Sequence, residues 1–272
     1  MNFKNLSMAF PIAALMAFAA CNNAGTKTAH DNQQADASAK ITITPVEGSP
    51  EFPDAELTIK NVTSEMQGAD SVKITFNYDV KNYELTHQTA DAASKGCSNS
   101  EEGQHIHFIL DNEPYAALYK PTHTFTVLPN SEHYVMSFLS RSYHESLKTP
   151  KAGVLYHFSV DGKGKITKMD LPTTPMIFYS RPKGHYMGDD TKKILLDFYV
   201  YNATLGTDAN VTATINGTDF AINKWQPYFI ENAPMGELNI KLQLTDTGGK
   251  ALEGENTSVS RTVHLMGNTA MK

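Results

Sequence analysis

Val72-Lys73-Ile74-Thr75-Phe76-Asn77-Tyr78-Asp79-Val80 alternates apolar and polar residues at every step. This is the period-2 pattern of a β-strand with one buried face. Its key positions recur later in the chain: Ile74, Phe76, Tyr78, Asn82 and Leu85 match Ile194, Leu196, Phe198, Asn202 and Leu205, a shift of 120. Further on, Leu110, Asp111, Tyr115, Pro129, Glu132, Val135, Leu139 and Leu147 match Ile215, Asn216, Phe220, Pro234, Glu237, Ile240, Leu244 and Leu252, a constant shift of 105. The 15-residue difference falls in the first copy, at about Thr86 to Glu102, around Cys97. A duplicated supersecondary unit of short alternating strands, separated by Gly, Asn, Asp and Pro, predicts an all-β chain of two tandem Ig-like antiparallel β-sandwich domains. The pattern places the first at 41–170 and the second at 174–267, joined by the stiff segment Leu171-Pro172-Thr173-Thr174-Pro175.

The copies differ most in histidine. Gln104-His105-Ile106-His107-Phe108-Ile109-Leu110 reads as a strand with Ile106, Phe108 and Leu110 on one face and His105 and His107 on the other. Shifted by 105, His105, His107, His123, His133 and His144 become Asn210, Thr212, Tyr228, Leu238 and Gly249. A histidine set confined to one copy serves something local to it. Two imidazoles on alternate strand residues suit copper, zinc or nickel, copper or zinc first, so His105, His107, His144 and His133 are the candidate metal ligands. The alternative is a set of solvent-facing ring nitrogens with no ion.

A second candidate surface is Ser140-Arg141-Ser142-Tyr143-His144-Glu145-Ser146-Leu147-Lys148. Arg141, Tyr143, His144 and Lys148 offer charge-assisted hydrogen bonds to an anion or a phosphorylated group, the alternative being a polar loop over a sandwich end. The similar loop Ser180-Arg181-Pro182-Lys183-Gly184-His185-Tyr186-Met187 carries His185 and Met187, a weaker soft-metal pair. No Gly-x-Ser-x-Gly elbow, phosphate-cradling glycine loop or paired-carboxylate motif is present, so the expectation is a non-enzymatic protein.

At the N-terminus, Lys4 precedes the apolar run Met8–Ala20, which ends at Phe18-Ala19-Ala20-Cys21. That run is the length of a secretory h-region and too short to span a bilayer. The expectation is a signal peptide over 1–20, lipidation at Cys21, and a polar, disordered tether over 21–40 holding the domains off a membrane. Cys97 is then the one remaining thiol, which excludes an internal disulfide framework. Removing residues 1–20 takes away Lys4, leaving 22 of the 23 basic residues against 29 acidic ones, a formal charge of about −7. With no basic stripe, nucleic acid is not an expected partner.

The segments GQHIHFILDNEPY (103–115), FLSRSYHESLK (138–148), KILLDFYVYNATL (193–205), INGTDF (215–220), KWQPYFIENAPMGE (224–237) and SRTVHL (260–265) resemble an uncharacterised family of bacterial envelope lipoproteins with two Ig-like repeats. Some similar sequences are labelled phosphopeptide-binding. The resemblance implies a lipid-anchored envelope protein, periplasmic or surface-exposed. The expected function is non-enzymatic binding of a peptide, glycan or protein partner through the first domain, or metal binding by its histidines.

Overall fold

The computed structural model describes residues 40–267. The expected signal peptide, Cys21 and the tether as far as Ala39 lie outside the described residues. Seventeen strands account for most of the described chain: β1 (Thr42–Pro45), β2 (Glu56–Gln67), β3 (Ser71–Lys81), β4 (His105–Leu110), β5 (Ala116–Leu118), β6 (Thr122–Val127), β7 (Ser131–Ser140), β8 (Gly153–Val160), β9 (Ile166–Lys168), β10 (Met176–Arg181), β11 (His185–Met187), β12 (Ile194–Tyr201), β13 (Asn210–Ile215), β14 (Thr218–Ile222), β15 (Tyr228–Glu231), β16 (Gly236–Thr245) and β17 (Ser258–Met266). One helical turn, α1 (Ala92–Lys95), interrupts the long β3–β4 connection. No described helix is long and apolar enough to cross a membrane.

The strands form four sheets. In the first sandwich, β2-β3-β6 faces β5-β4-β7-β8-β9. In the second, β1-β15-β12-β10 faces β11-β17-β16-β13-β14. The equivalent strands β2, β3 and β6 of the first repeat and β10, β12 and β15 of the second form one sheet of each sandwich, and β4, β5, β7 and β8 and their equivalents β13, β14, β16 and β17 form the other, as in Ig-like folds; β9 and β11 are short additions at sheet edges, β11 pairing parallel with β17. The protein is therefore all-β and built of two Ig-like antiparallel sandwiches, as expected. In the first core Phe76 meets Phe108 edge-on at 5.7 Å and Tyr156 at 5.3 Å. The second core is centred on Ile194, Leu196, Phe198, Ile240 and Leu242.

The duplication is visible atom by atom. Asp111 and Asn216 both adopt positive φ, 49° and 45°. Asp111 Oδ1 accepts from the Tyr134 amide at 2.9 Å, and Asn216 Oδ1 accepts from the Asn239 amide at 2.8 Å. Both acceptor and donor are displaced by 105. The same displacement relates the bridges Ser140–Ser146 and Thr245–Ala251.

Two features differ from the sequence reading. Thr42–Pro45 falls within the span expected for the first sandwich, but it pairs antiparallel with β15 of the second. Its partner is chosen by a free sheet edge far along the chain, which local patterning cannot register. The described residues also fall within a single compact unit rather than two separate bodies. Ile109, Met136 and Phe138 of the first repeat share a buried cluster with Met176, Phe178 and Tyr199 of the second. The Phe138 and Tyr199 rings stack at 4.9 Å. Strands β4, β10 and β12 are buried along nearly their whole length because each serves a sandwich core on one face and this shared layer on the other.

Candidate metal centre

Because β4 alternates, Ile106 and Phe108 enter the first core while His105 and His107 point at the second repeat. Both histidines are fully buried. Their Nε2 atoms lie 2.9 Å apart. His144 reaches the same point from the turn after β7, with its Nδ1 3.1 Å from His105 Nε2. One ligand atom from each of the three rings lies within 4.8 Å of the others. His133 does not join them. Its Nδ1 sits 2.6 Å from Asp111 Oδ2 and its Nε2 2.7 Å from Ser131 Oγ.

The rings are oriented from behind. His105 Nδ1 donates to the Gly103 carbonyl at 2.7 Å, which leaves Nε2 with its lone pair facing the other two rings. Gly103, at φ +84°, packs so closely that a Cβ would lie 2.6 Å from the Thr86 carbonyl group. His107 Nδ1 is 3.0 Å from Ser180 Oγ of β10, and its ring stacks on Tyr115 at 3.7 Å. Tyr115 Oη lies 3.2 Å from His144 Nδ1. Burial pushes the Tyr115 hydroxyl up to about 12, so it keeps its proton at pH 7. The insertion in the first repeat closes over this side. The Thr89 amide donates to Ser142 Oγ, the Ser142 amide donates to Thr89 Oγ1, and the Ser100 amide donates to the Ser142 carbonyl. These bonds hold the turn that carries His144.

Burial lowers the pKa of all three histidines. His105 falls to about 4, opposed by its bond to Gly103 and helped by Arg181. His107 falls well below the usual value, with the other two rings, Arg181 and Lys183 adding to desolvation. His144 is lowered by burial, then by Arg181. All three are neutral at pH 7 and present lone pairs without first releasing a proton. With metal–nitrogen bonds of roughly 2.0–2.1 Å, two donors on one ion lie at most about 4.2 Å apart, so the His107 and His144 nitrogens, the widest pair at 4.8 Å, would have to close by a little over half an ångström on an ion.

The Ser140–Lys148 segment is not an open anion loop. Arg141, Tyr143, His144, Glu145 and Ser146 are all buried. Arg141 donates to Glu145 Oε1 at 2.8 Å and also to the Pro50 carbonyl. Lys148 Nζ lies 2.8 Å from Asp197 Oδ1, across the repeat boundary. Tyr143 packs with Cys97, Leu195 and Phe229. Both cations are thus neutralised internally, which removes the expected phosphate contact of Arg141, Tyr143, His144 and Lys148. Cys97 is buried, its thiol pushed up to about 11, and stands outside the histidine group. On β11, Met187 is exposed, and His185 stacks on His264 at 5.2 Å.

No family model matches the sequence, and no curated protein matches it. Among solved structures it is similar to the fibronectin(III)-like modules of Clostridium thermocellum CbhA, at 12% identity over 78% of this chain and 94% of that one, with a TM-score of 0.28. The central fibronectin-III array of RIM-binding protein matches at 9% identity over 82% and 72%, TM-score 0.26. The two tandem V-type regions of VCBP3, a chitin-binding protein, match at 11% identity over 77% and 100%, TM-score 0.21.

Proposed function

We propose that this chain is a non-enzymatic, lipid-anchored protein of the bacterial cell envelope that binds one transition-metal ion through His105, His107 and His144. The observation that carries the reading is the convergence of three neutral ring nitrogens, with His105 Nε2 2.9 and 3.1 Å from its neighbours. The backing bonds to Gly103 and Ser180 are those that fix tautomer and ring direction in metal sites. Copper(I) is the ion favoured over zinc. The donors are uncharged, and Arg181 and Lys183 add positive potential. Burying a divalent charge there without a carboxylate costs more than burying a monovalent one.

Calorimetry with copper(I) and with zinc on the described domains tests this. Wild type binds one copper(I) per chain, more tightly than zinc, and His105→Ala/His107→Ala binds neither. Equal, negligible heats for both proteins overturn the metal reading.

A further inference from the structure

Strand β11 runs parallel to β17 at the edge of its sheet, with His185 opposite His264, Tyr186 opposite Leu265 and Met187 opposite Met266. Tyr186 and Leu265 are buried in the second core. By strand alternation the pairs on either side of them point to the outer face. The two histidine rings stack at 5.2 Å with 18° between their planes. Met187 is 55% exposed and Met266 39%. Across the other side of β17, Glu237 stands opposite His264 and Gly236 opposite Leu265. Continuing that register by one residue puts Met235, 58% exposed, beside Met266.

This corner is unlike the rest of the outer face. Further along β16 and β17 the outward positions carry Asn239, Lys241, Ser260 and Thr262. Large apolar side chains exposed singly are ordinary. Among the described residues five are exposed, and three of the five, Met187, Met235 and Met266, share this one row. All three are thioethers, and the next row inward carries the two imidazoles. The soft-metal pair His185 and Met187 thus meets a register partner of the same kind at each position.

We propose that His185, Met187, His264 and Met266 form a surface site for copper(I), with Met235 at its margin. Thioether sulfur and imidazole nitrogen are uncharged donors that suit this soft ion. Adjacent strands lie roughly 4.8 Å apart, so each pair starts close together, and exposed side chains of this length rotate onto one ion. Glu237 adds a negative charge beside them. No buried hydrogen bonds fix these rings from behind, so the site is weaker than a preorganised one. The inference does not rest on the three buried histidines. With free copper(I) held low by a competing chelator, the single ion per chain is the one they bind, and the surface site fills in a second, weaker step.

The test is an anaerobic copper(I) titration of the protein labelled with carbon-13 at its methionine methyl groups, followed by NMR. Copper(I) is diamagnetic, so the signals of ligating methionines shift without being lost. The Met187 and Met266 methyls move together in one saturable step, while Met66 and Met169 of the first repeat stay in place. Zinc moves none of them, because thioethers are not among its usual ligands. Met187→Leu/Met266→Leu unfolds at the wild-type Tm, since both side chains are exposed. In chelator competition it weakens the second step at least roughly ten-fold, and His185→Ala/His264→Ala weakens it as well. Methyl signals that ignore excess copper(I), or a second step of unchanged affinity in either double variant, overturn the proposal. Methyls that shift in a protein whose buried histidines take no metal uphold this site and overturn only the buried one.

Discussion

His144 occupies the turn position that Gly249 holds in the second repeat, and both adopt a left-handed backbone, with φ of 68° and 88°. Glycine enters that region freely, whereas a residue with a Cβ pays about 1 kcal/mol or more. The first repeat therefore carries backbone strain at the residue whose Nδ1 meets His105. Strain of this kind persists where surrounding contacts over-determine it, and it clusters at functional sites. His144→Gly gives the turn the residue used by its own duplicate. The variant folds with a stability within about 1 kcal/mol of wild type, but loses most of its copper affinity. Denaturant unfolding beside metal titration separates the two effects. A variant that binds copper as wild type does removes His144 from the ligand set.

The buried histidines also set an acid limit on the metal-free protein. Their folded pKa values lie below the unfolded value near 6.5, and His105 falls to about 4. Above pH 6.5 both folded and unfolded chains hold them neutral, and their contribution to stability is constant. As pH falls through 6.5 the unfolded chain takes up protons that the folded one refuses, so stability drops. Each such group adds a slope of up to about 1.4 kcal/mol per pH unit between 6.5 and its folded value. Urea midpoints between pH 7.5 and pH 4.5 should decline steeply for wild type and less steeply for His105→Gln. Saturating copper raises the midpoint at every pH but leaves the decline at least as steep, because it keeps the folded rings unprotonated while the unfolded chain still takes up protons.

The strands and the duplication were legible because period-2 alternation and constant residue offsets are local properties. The same alternation put His105 and His107 on one face, and comparison of the copies marked His144 as peculiar to the first. What covers that face was harder to read, although a signal existed. Ile194–Tyr201 is apolar at nearly every position, which is the mark of a strand buried on both sides. Arg141 and Lys148 show the opposite failure. Their charge is plain in the sequence, but whether a charge faces solvent depends on its partner. Glu145 lies one turn away, and Asp197 arrives only when the repeats dock. Tyr115 and Ser180, which hold the histidine rings, read as ordinary strand and loop residues until tertiary structure brings them to the site.

Lys148 and Asp197 form an ion pair across the repeat boundary. Asp197 is fully buried and also accepts from the Ser146 amide at 3.2 Å and Ser146 Oγ at 3.0 Å. Removing the carboxylate leaves the Lys148 ammonium with Ser146 Oγ and the Phe198 carbonyl but no counter-charge, and leaves the two Ser146 donors without their acceptor. Asp197→Ala should cost about 3–5 kcal/mol. Lys148→Met/Asp197→Leu removes both charges and should recover a substantial part of that loss. Chemical denaturation of the two variants provides the measurement. A single-variant cost below about 1 kcal/mol, the range of exposed pairs, contradicts the burial of this pair.

Among the described residues, Ser180 is the one residue of the second repeat with a side-chain hydrogen bond to the histidine group, at 3.0 Å from His107 Nδ1. A ligand ring that loses such a partner rotates more freely and becomes a weaker base, and metal affinity commonly falls 10- to 100-fold. Ser180→Ala should therefore weaken copper by about that factor while leaving one ion per chain. Ser180→Thr retains a hydroxyl and should restore part of the affinity. The comparison also bears on how the repeats cooperate. If copper binding draws on Ser180, then bound copper stabilises the docked pair of sandwiches, and the copper-dependent rise in Tm shrinks in Ser180→Ala. An equal rise in both proteins would mean that the first repeat holds the metal without help from the second.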